Sequence, residues 1–229
     1  MTAPALMVVA KAPVPGTVKT RLSPPLHPTS AAEIAAAALL DTLDNVLLAA
    51  RLLAAPRPVL ALAGDPRRAV RAHELQPAFT AFRVVRQRGG ALGERLLNAQ
   101  RDGVPSGPLV LVGMDTPQAG ADALLDAASA LGAAPAALGP AVDGGWWALA
   151  LREARDMALV RDVEMSTPDT GEATRHALVD GGVTPRLLAT YRDVDHWEDA
   201  VAVAAGSAGT RFAHAVAEAA RTLPAPAGR

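Results

Sequence analysis

Three cations stand close together early in the chain, in Lys11-Ala12-Pro13-Val14-Pro15-Gly16-Thr17-Val18-Lys19-Thr20-Arg21. Lys11, Lys19 and Arg21 share this loop with one glycine, Gly16, and they follow directly on the apolar run 5–10, which reads as a buried first strand. Fixed positive charge at the carboxyl end of a strand suits an anion, because open α/β sheets bind their ligands there. Phosphate is the natural candidate, gripped by the Lys19 and Arg21 side chains while Gly16 allows close backbone approach. The loop is not a Walker loop. Lys19 falls three residues after Gly16, and Pro13 and Pro15 remove N–H groups that a phosphate cradle would use. The competing reading is a solvated basic turn.

Carboxylates recur where a metal would need them. Asp115, in Gly113-Met114-Asp115-Thr116-Pro117, ends the clearest apolar run of the chain. A carboxylate there can hold Mg²⁺, which takes one or two protein carboxylates together with phosphates; Asp115 or Thr116 can equally cap the next helix. Asp193 and Asp195 alternate on an extended segment, so both point to one face and can serve one metal. Asp195 with Glu198 also fits a capping box.

Three further segments could meet a substrate. In Asp143-Gly144-Gly145-Trp146-Trp147, the glycines could expose backbone N–H groups and a tryptophan could stack on a base or sugar. Strand alternation sends one tryptophan of the pair to the core and the other to the opposite side. Gly89-Gly90-Ala91-Leu92-Gly93-Glu94 reads as a helix start able to receive a base edge or a phosphate, or simply as a loop and cap. Ser166-Thr167 before Asp169 and Thr170 has helix-start chemistry.

The elements that must position these residues alternate along the chain. Strands are expected at 59–63, 82–86, 108–113, 135–139, 146–151 and 186–191, and helices from Thr29 or Ser30 to about 55, then at 92–101, 121–131, 170–179, 195–204 and 210–222. This pattern predicts a three-layer α/β/α sandwich with a mostly parallel sheet, a single domain over 1–222 and a disordered tail over 223–229. With 22 Lys plus Arg against 23 Asp plus Glu, the chain has no electrostatic footprint for nucleic acid. It has no cysteine, which removes thiol catalysis and thiolate metal sites. No apolar run is long enough to span a bilayer and no signal peptide is evident, so a cytoplasmic location is expected. A homodimer stays open.

Taken in order, 10–22, Leu-Gly-Glu-Arg-Leu (92–96), Gly-Met-Asp-Thr-Pro (113–117), Asp-Gly-Gly-Trp-Trp-Ala-Leu (143–149), Ser-Thr (166–167) and Asp-Val-Asp (193–195) resemble the bacterial GT-A-like proteins usually labelled uncharacterised glycosyltransferases, of the nucleotide-diphospho-sugar transferase superfamily. The set is similar, more distantly, to 2-phospholactate guanylyltransferase and the molybdenum-cofactor nucleotidyltransferases. Tryptophans replace the usual tyrosines after Asp-Gly-Gly, and Met114 stands where serine is usual. The resemblance implies a GT-A, Rossmann-like fold and an Asp115, Asp193 and Asp195 cluster for Mg²⁺ (or Mn²⁺). It implies Lys19 and Arg21 on the phosphates of an NTP or NDP-sugar, with Lys11 and Gly16 in the same loop and Gly93 and Glu94 near the nucleotide. Asp143, Gly144, Gly145, Trp146, Ser166 and Thr167 fall on the substrate side. The expected activity is Mg²⁺-dependent nucleotidyl transfer from an NTP to a small phosphorylated or sugar-like acceptor. Glycosyl transfer from an NDP-sugar and a non-catalytic nucleotide-binding module are the alternatives.

Overall fold

The computed structural model describes residues 2–223. Seven short strands form one sheet: β1 (Ala5–Lys11), β2 (Val59–Ala63), β3 (Arg83–Arg86), β4 (Leu109–Gly113), β5 (Ala136–Pro140), β6 (Trp146–Leu151) and β7 (Pro185–Leu187). The spatial order is β3-β2-β1-β4-β6-β5-β7. Every neighbouring pair is parallel except those involving β6, which runs against both β4 and β5. The inner strands are apolar along their length because helices cover both faces of the sheet.

Alternation along β1 shows the layers. Leu6 and Val8 face one cluster, with α1 (Pro28–Leu52), α2 (Ala72–Phe79) and α4 (Ala121–Ala130); Met7 faces the other, with α3 (Leu92–Gly103) and the 3-10 segment Ala154–Val160. A third cluster joins the outer side of α1 to α6 (Trp197–Ala205) and α7 (Arg211–Thr222). α5 (Thr170–Asp180) completes the α3 side, with Leu178 buried in that cluster. The fold is thus the three-layer α/β/α sandwich. α1 is buried on opposite flanks, which explains its alanines: Ala32, Ala35 and Ala36 pack towards the sheet while Ala31 and Ala38 pack towards α6 and α7. Small side chains let both layers close on one helix.

The strand order places the site. The chain moves outward from β1 to β2 and β3, then returns to lay β4 on the other side of β1. Loops leaving β1 and β4 therefore part in opposite directions, and the crevice between them is where doubly wound sheets bind ligands. The reversal of β6 matters equally. It brings the first residue of that strand, Trp146, rather than the last, to the edge where β4 and Pro140 of β5 also end.

Several local boundaries differ from those expected. α1 is capped by His27, whose Nδ1 accepts from the Thr29 N–H at 3.2 Å, with Pro28 at the first helical position instead of Thr29 or Ser30 capping. α6 begins at Trp197, and Asp199 accepts from the His196 N–H at 2.9 Å. His196 and Asp199 thus take the capping roles expected of Asp195 and Glu198. β7 stops at Leu187, and beyond it Tyr191 makes only an isolated bridge to Ala141. Of the tail expected over 223–229, residues 224–229 lie outside the described residues.

Asp41, inside α1 and only 8% exposed, ties the outer layer on. Its carboxylate accepts from the backbone N–H groups of Arg211 (3.3 Å) and Phe212 (2.8 Å), so it caps α7 across 170 residues of sequence. Asp41→Ala is expected to cost about 2 kcal/mol, near the upper end for a lost helix cap, and to lower the melting temperature by roughly 4–8 °C. Asp44→Ala, which removes only an exposed pair with Arg211, should cost no more than about 1 kcal/mol. Chemical denaturation of the two variants measures the difference.

Candidate functional site

A cavity of about 780 Å³ runs along the edge made by the carboxyl ends of β1 and β4 and the start of β6, a size suited to a small ligand or cofactor. The loop after β1 forms one wall. It is self-supporting: the Thr17 hydroxyl donates to the Val14 carbonyl at 2.9 Å, and the Lys11 ammonium donates to the Thr17 carbonyl. The Lys11 N–H also points to the Met114 sulfur at 3.4 Å, joining this loop to the end of β4. Lys19 then turns into the left-handed region (φ 47°, ψ 42°) before the 3-10 turn Thr20–Leu22. That backbone state costs roughly 1–3 kcal/mol for a residue with a Cβ.

Ion pairs account for the strain. The Lys19 side chain is 7% exposed, and its ammonium lies 2.6 Å from Asp115 Oδ1 and 3.4 Å from Asp195 Oδ1. Burial draws the ammonium pKa down, but the attraction of Asp115 and Asp195 outweighs it and leaves Lys19 above the ordinary lysine value. Lys19 therefore stays charged. Arg21 reaches Asp195 at 2.8 Å from an open position, its side chain 61% exposed. The acidic segment is clamped to the end of β4 by the Val194 N–H, which donates to the Asp115 carbonyl at 2.9 Å.

Asp193 is the group out of balance. Its Oδ1 is buried with no hydrogen-bond partner. Burial, then repulsion from Asp115 and Asp143, push its carboxyl up to about 7, with Lys19 only partly opposing. Around Asp193 stand the carboxylates of Asp115, Asp143 and Asp195 and the Lys19 ammonium; Lys11, Arg21, Arg192 and Asp199 line the same cavity. The carboxylate oxygens, and the orphaned Asp193 oxygen among them, are donors of the kind a divalent cation takes. The three-carboxylate cage expected from the sequence is not assembled, however. Among the described residues no three His, Cys, Asp or Glu side chains converge closely enough to hold a metal, because the Lys19 ammonium stands between Asp115 and Asp195. A ligand set completed by substrate phosphates is the arrangement Mg²⁺ commonly uses.

The opposite wall is built from two loops stitched together. Asp143 Oδ1 accepts from the Gly145 N–H at 2.9 Å, and the Gly144 carbonyl accepts from the Gly171 N–H at 2.7 Å. Gly144 has φ +89° and lies so close to the Pro168 carbonyl that a Cβ would not fit. Ser166 also adopts φ +66°, and the Thr167 N–H donates to Thr170 Oγ1 at 3.0 Å. The tryptophans divide as strand alternation requires. Trp147 is 2% exposed, donates to the Ala189 carbonyl and meets Tyr191 edge-on. Trp146 lines the cavity, and its indole N–H donates to the buried Thr174 hydroxyl at 3.1 Å.

The cavity thus gathers most of the residues singled out by sequence: Lys11, Lys19, Arg21 and Asp115 from one side, Asp193 and Asp195 beside them, and Asp143, Gly145, Trp146, Ser166 and Thr167 from the other. Gly16, Gly93, Glu94 and Gly144 do not line it. Gly93 is packed against the carbonyls of Val160 and Arg161, and Glu94 folds back to accept from the Gly90 N–H at 2.8 Å. The next residue, Arg95, does face the cavity, as does Gln87, whose amide donates to the carbonyls of Ala10 (2.9 Å) and Ala61 (2.8 Å). The sequence contains a sign of the first: Arg95 shares a helical stripe with Leu92 and Leu96, which also line the cavity, whereas Gly93 and Glu94 fall off it. Gln87 carries no comparable sign.

Among solved structures, a provisionally assigned nucleotide-diphospho-sugar transferase from Desulfovibrio desulfuricans G20 is 24% identical, with 95% of each chain covered and a TM-score of 0.74. CMP:2-keto-3-deoxy-manno-octonic acid synthetase complexed with CTP is 13% identical over 90% of this chain and 99% of that one, with a TM-score of 0.54. Rv0371c complexed with manganese, from Mycobacterium tuberculosis H37Rv, is 19% identical over 87% and 97%, with a TM-score of 0.51. These likenesses identify the fold as that of the nucleotide-diphospho-sugar transferases. No protein of curated function matches the sequence. No helix among the described residues is long and apolar enough to cross a membrane. Residues 45–167, just over half of the chain, match the family described as "Uncharacterized protein conserved in bacteria (DUF2064)", and the chain belongs to that family.

Proposed function

We propose that this protein is a divalent-metal-dependent nucleotidyltransferase, which joins the nucleotidyl group of an NTP to a small acceptor and releases pyrophosphate. The observation that carries the reading is the buried, charged Lys19, set with Arg21 beside an acidic cluster at the strand-order switch point. In the transfer, an acceptor oxygen bonds to the α-phosphorus while the bond to the bridging oxygen breaks, so negative charge grows on the departing pyrophosphate. Lys19 and Arg21 are cations at hand for that charge, and Lys19 is fixed before the substrate arrives. Asp115 and Asp193 would hold Mg²⁺ or Mn²⁺ together with the phosphates. When bound there, the ion would neutralise phosphate charge and polarise the phosphoryl oxygens. The CTP bound by the synthetase neighbour and the manganese bound by Rv0371c support the choice of ligands. Asp143, Trp146, Ser166 and Thr167 would then face the acceptor.

Sugar transfer from an NDP-sugar would use the same phosphate and metal groups, and the name of the Desulfovibrio neighbour favours it. Incubation with each NTP, Mg²⁺ and a panel of small acceptors separates the two. Pyrophosphate release is expected with one NTP. Its absence with all four, alongside hydrolysis of an NDP-sugar, would transfer the assignment to glycosyl transfer. Lys19→Ala should lower kcat by about 10²–10³-fold, the magnitude seen when one transition-state donor is lost. Asp115→Asn should remove most of the Mg²⁺ dependence of nucleotide affinity; affinity and dependence both unchanged would point to a non-catalytic binding module.

The acidic cluster also sets a pH dependence for the metal-free protein. Asp193 keeps its proton up to about pH 7 in the folded chain, but only to about pH 4 when unfolded. Between those values the native state holds the extra proton, so raising the pH through this window removes stability from the wild type. Asp193→Asn has no such proton. Its stability relative to wild type should therefore rise from pH 4 to 7 and level off above, as measured by urea unfolding in EDTA; a pH-independent difference would contradict the assignment.

A further inference from the structure

Four arginines among the described residues are neither fully buried nor exposed: Arg71, Arg95, Arg152 and Arg175. Three have acceptors, Arg71 on Glu74, Arg152 on the Leu131 carbonyl and Arg175 on Glu172. Arg95 alone has none, and its Nε is buried without a partner. An unsatisfied guanidinium N–H away from solvent is costly, and a native protein that retains one often has a ligand for it. Arg95 faces the cavity. It is not part of the Lys19 cluster, because its helix packs on the other face of the sheet: Leu92 and Leu96 belong with Trp146 and Met165 in the cluster under α3, whereas Val18 and Met114 beside Lys19 belong to the α1 side. The cavity therefore has cations on both sides of the sheet edge: Lys19 with Lys11 and Arg21 on one, Arg95 on the other, while Arg192 is paired with Asp199.

We propose that Arg95 binds an oxyanion of the acceptor, a carboxylate or a phosphate, while Lys19 and Arg21 hold the phosphates of the donor. This rests on the nucleotidyl-transfer reading and narrows its acceptor to an anionic small molecule. A guanidinium fork is suited to two parallel hydrogen bonds to such a group. Leu92, Leu96, Met165 and Trp146 line the same cavity; an uncharged polyol could accept from the Arg95 Nε but would bring neither the opposite charge nor the paired oxygens that an oxyanion offers a guanidinium.

Binding tests this without knowing the acceptor. Pyrophosphate and Mg²⁺ at saturation occupy the Lys19 end; inorganic phosphate and, separately, malonate are then titrated in by calorimetry. Wild type is expected to bind at least one of the two probes, and which one distinguishes a phosphate from a carboxylate acceptor. Arg95→Gln should weaken that probe about tenfold or more and leave pyrophosphate affinity unchanged. Arg95→Lys, which keeps the charge but loses the fork, should fall between, and thermal melting of both variants checks that they fold. An unchanged probe affinity in Arg95→Gln, a loss of pyrophosphate affinity instead, or no probe binding to wild type would each overturn the inference. Failure of wild type to bind pyrophosphate or any NTP with Mg²⁺ would instead sink the nucleotidyl-transfer reading itself, so the two failures are distinguishable.

Discussion

A buried ammonium among carboxylates holds the site together. Lys19 gains by losing water only because Asp115 and Asp195 stand within 2.6 and 3.4 Å; without them, desolvation of its charge would be uncompensated. The same pairs draw three separate segments to one point: the loop after β1, the end of β4 and the stretch before α6. They also offset the left-handed turn at Lys19. Electrostatic need and backbone strain thus meet in one residue, and the cavity is shaped around it. On the acidic side, burial and the neighbouring Asp115 and Asp143 hold the Asp193 carboxyl up to about 7.

The sheet supplies the frame for this balance. Parallel β1 and β4 deliver a basic loop and an acid to the same edge, and the single reversed strand delivers Trp146 there as well. Had β6 run parallel to β4, its first residue would lie at the far end of the sheet, roughly 17–20 Å away for a strand of this length. The wall opposite the basic loop would then have to be built from other residues. Its stitching by Gly144, Gly171 and the Trp146–Thr174 hydrogen bond makes the wall one piece that includes the start of α5.

Much of this was legible in the amino-acid order. The basic loop, the strand before Asp115, the alternating Asp193 and Asp195 and the opposed tryptophans all rest on short-range pattern, and short-range pattern fixes which way a side chain leaves its element. What was not legible depended on partners far along the chain. Asp41 reads as a misplaced acid in a helix until Arg211 and Phe212 arrive across 170 residues. Arg95 is inconspicuous beside Gly93 and Glu94, whose residue types stand out in a helix start although the former serves packing and the latter a turn. Pro77 obscures α2 in the sequence, because it lies inside the helix against the ordinary rule for helix interiors. The missing metal cage has the same origin: three acids were visible, but not that a lysine would be folded between two of them.

The Lys19–Asp195 contact also has a consequence for how the molecule comes into being. Its two ends are 176 residues apart, and the Val194 N–H reaches back to Asp115 across most of the second half of the chain. Such contacts are slow to form, since loop closure must be met before they return anything. Strands β1, β2 and β4 can pair and collapse well before the acidic segment has emerged and docked. The cluster around Lys19 is then completed only at the last stage of folding, so a nascent or partly folded chain that already has most of its sheet would still lack the finished cavity.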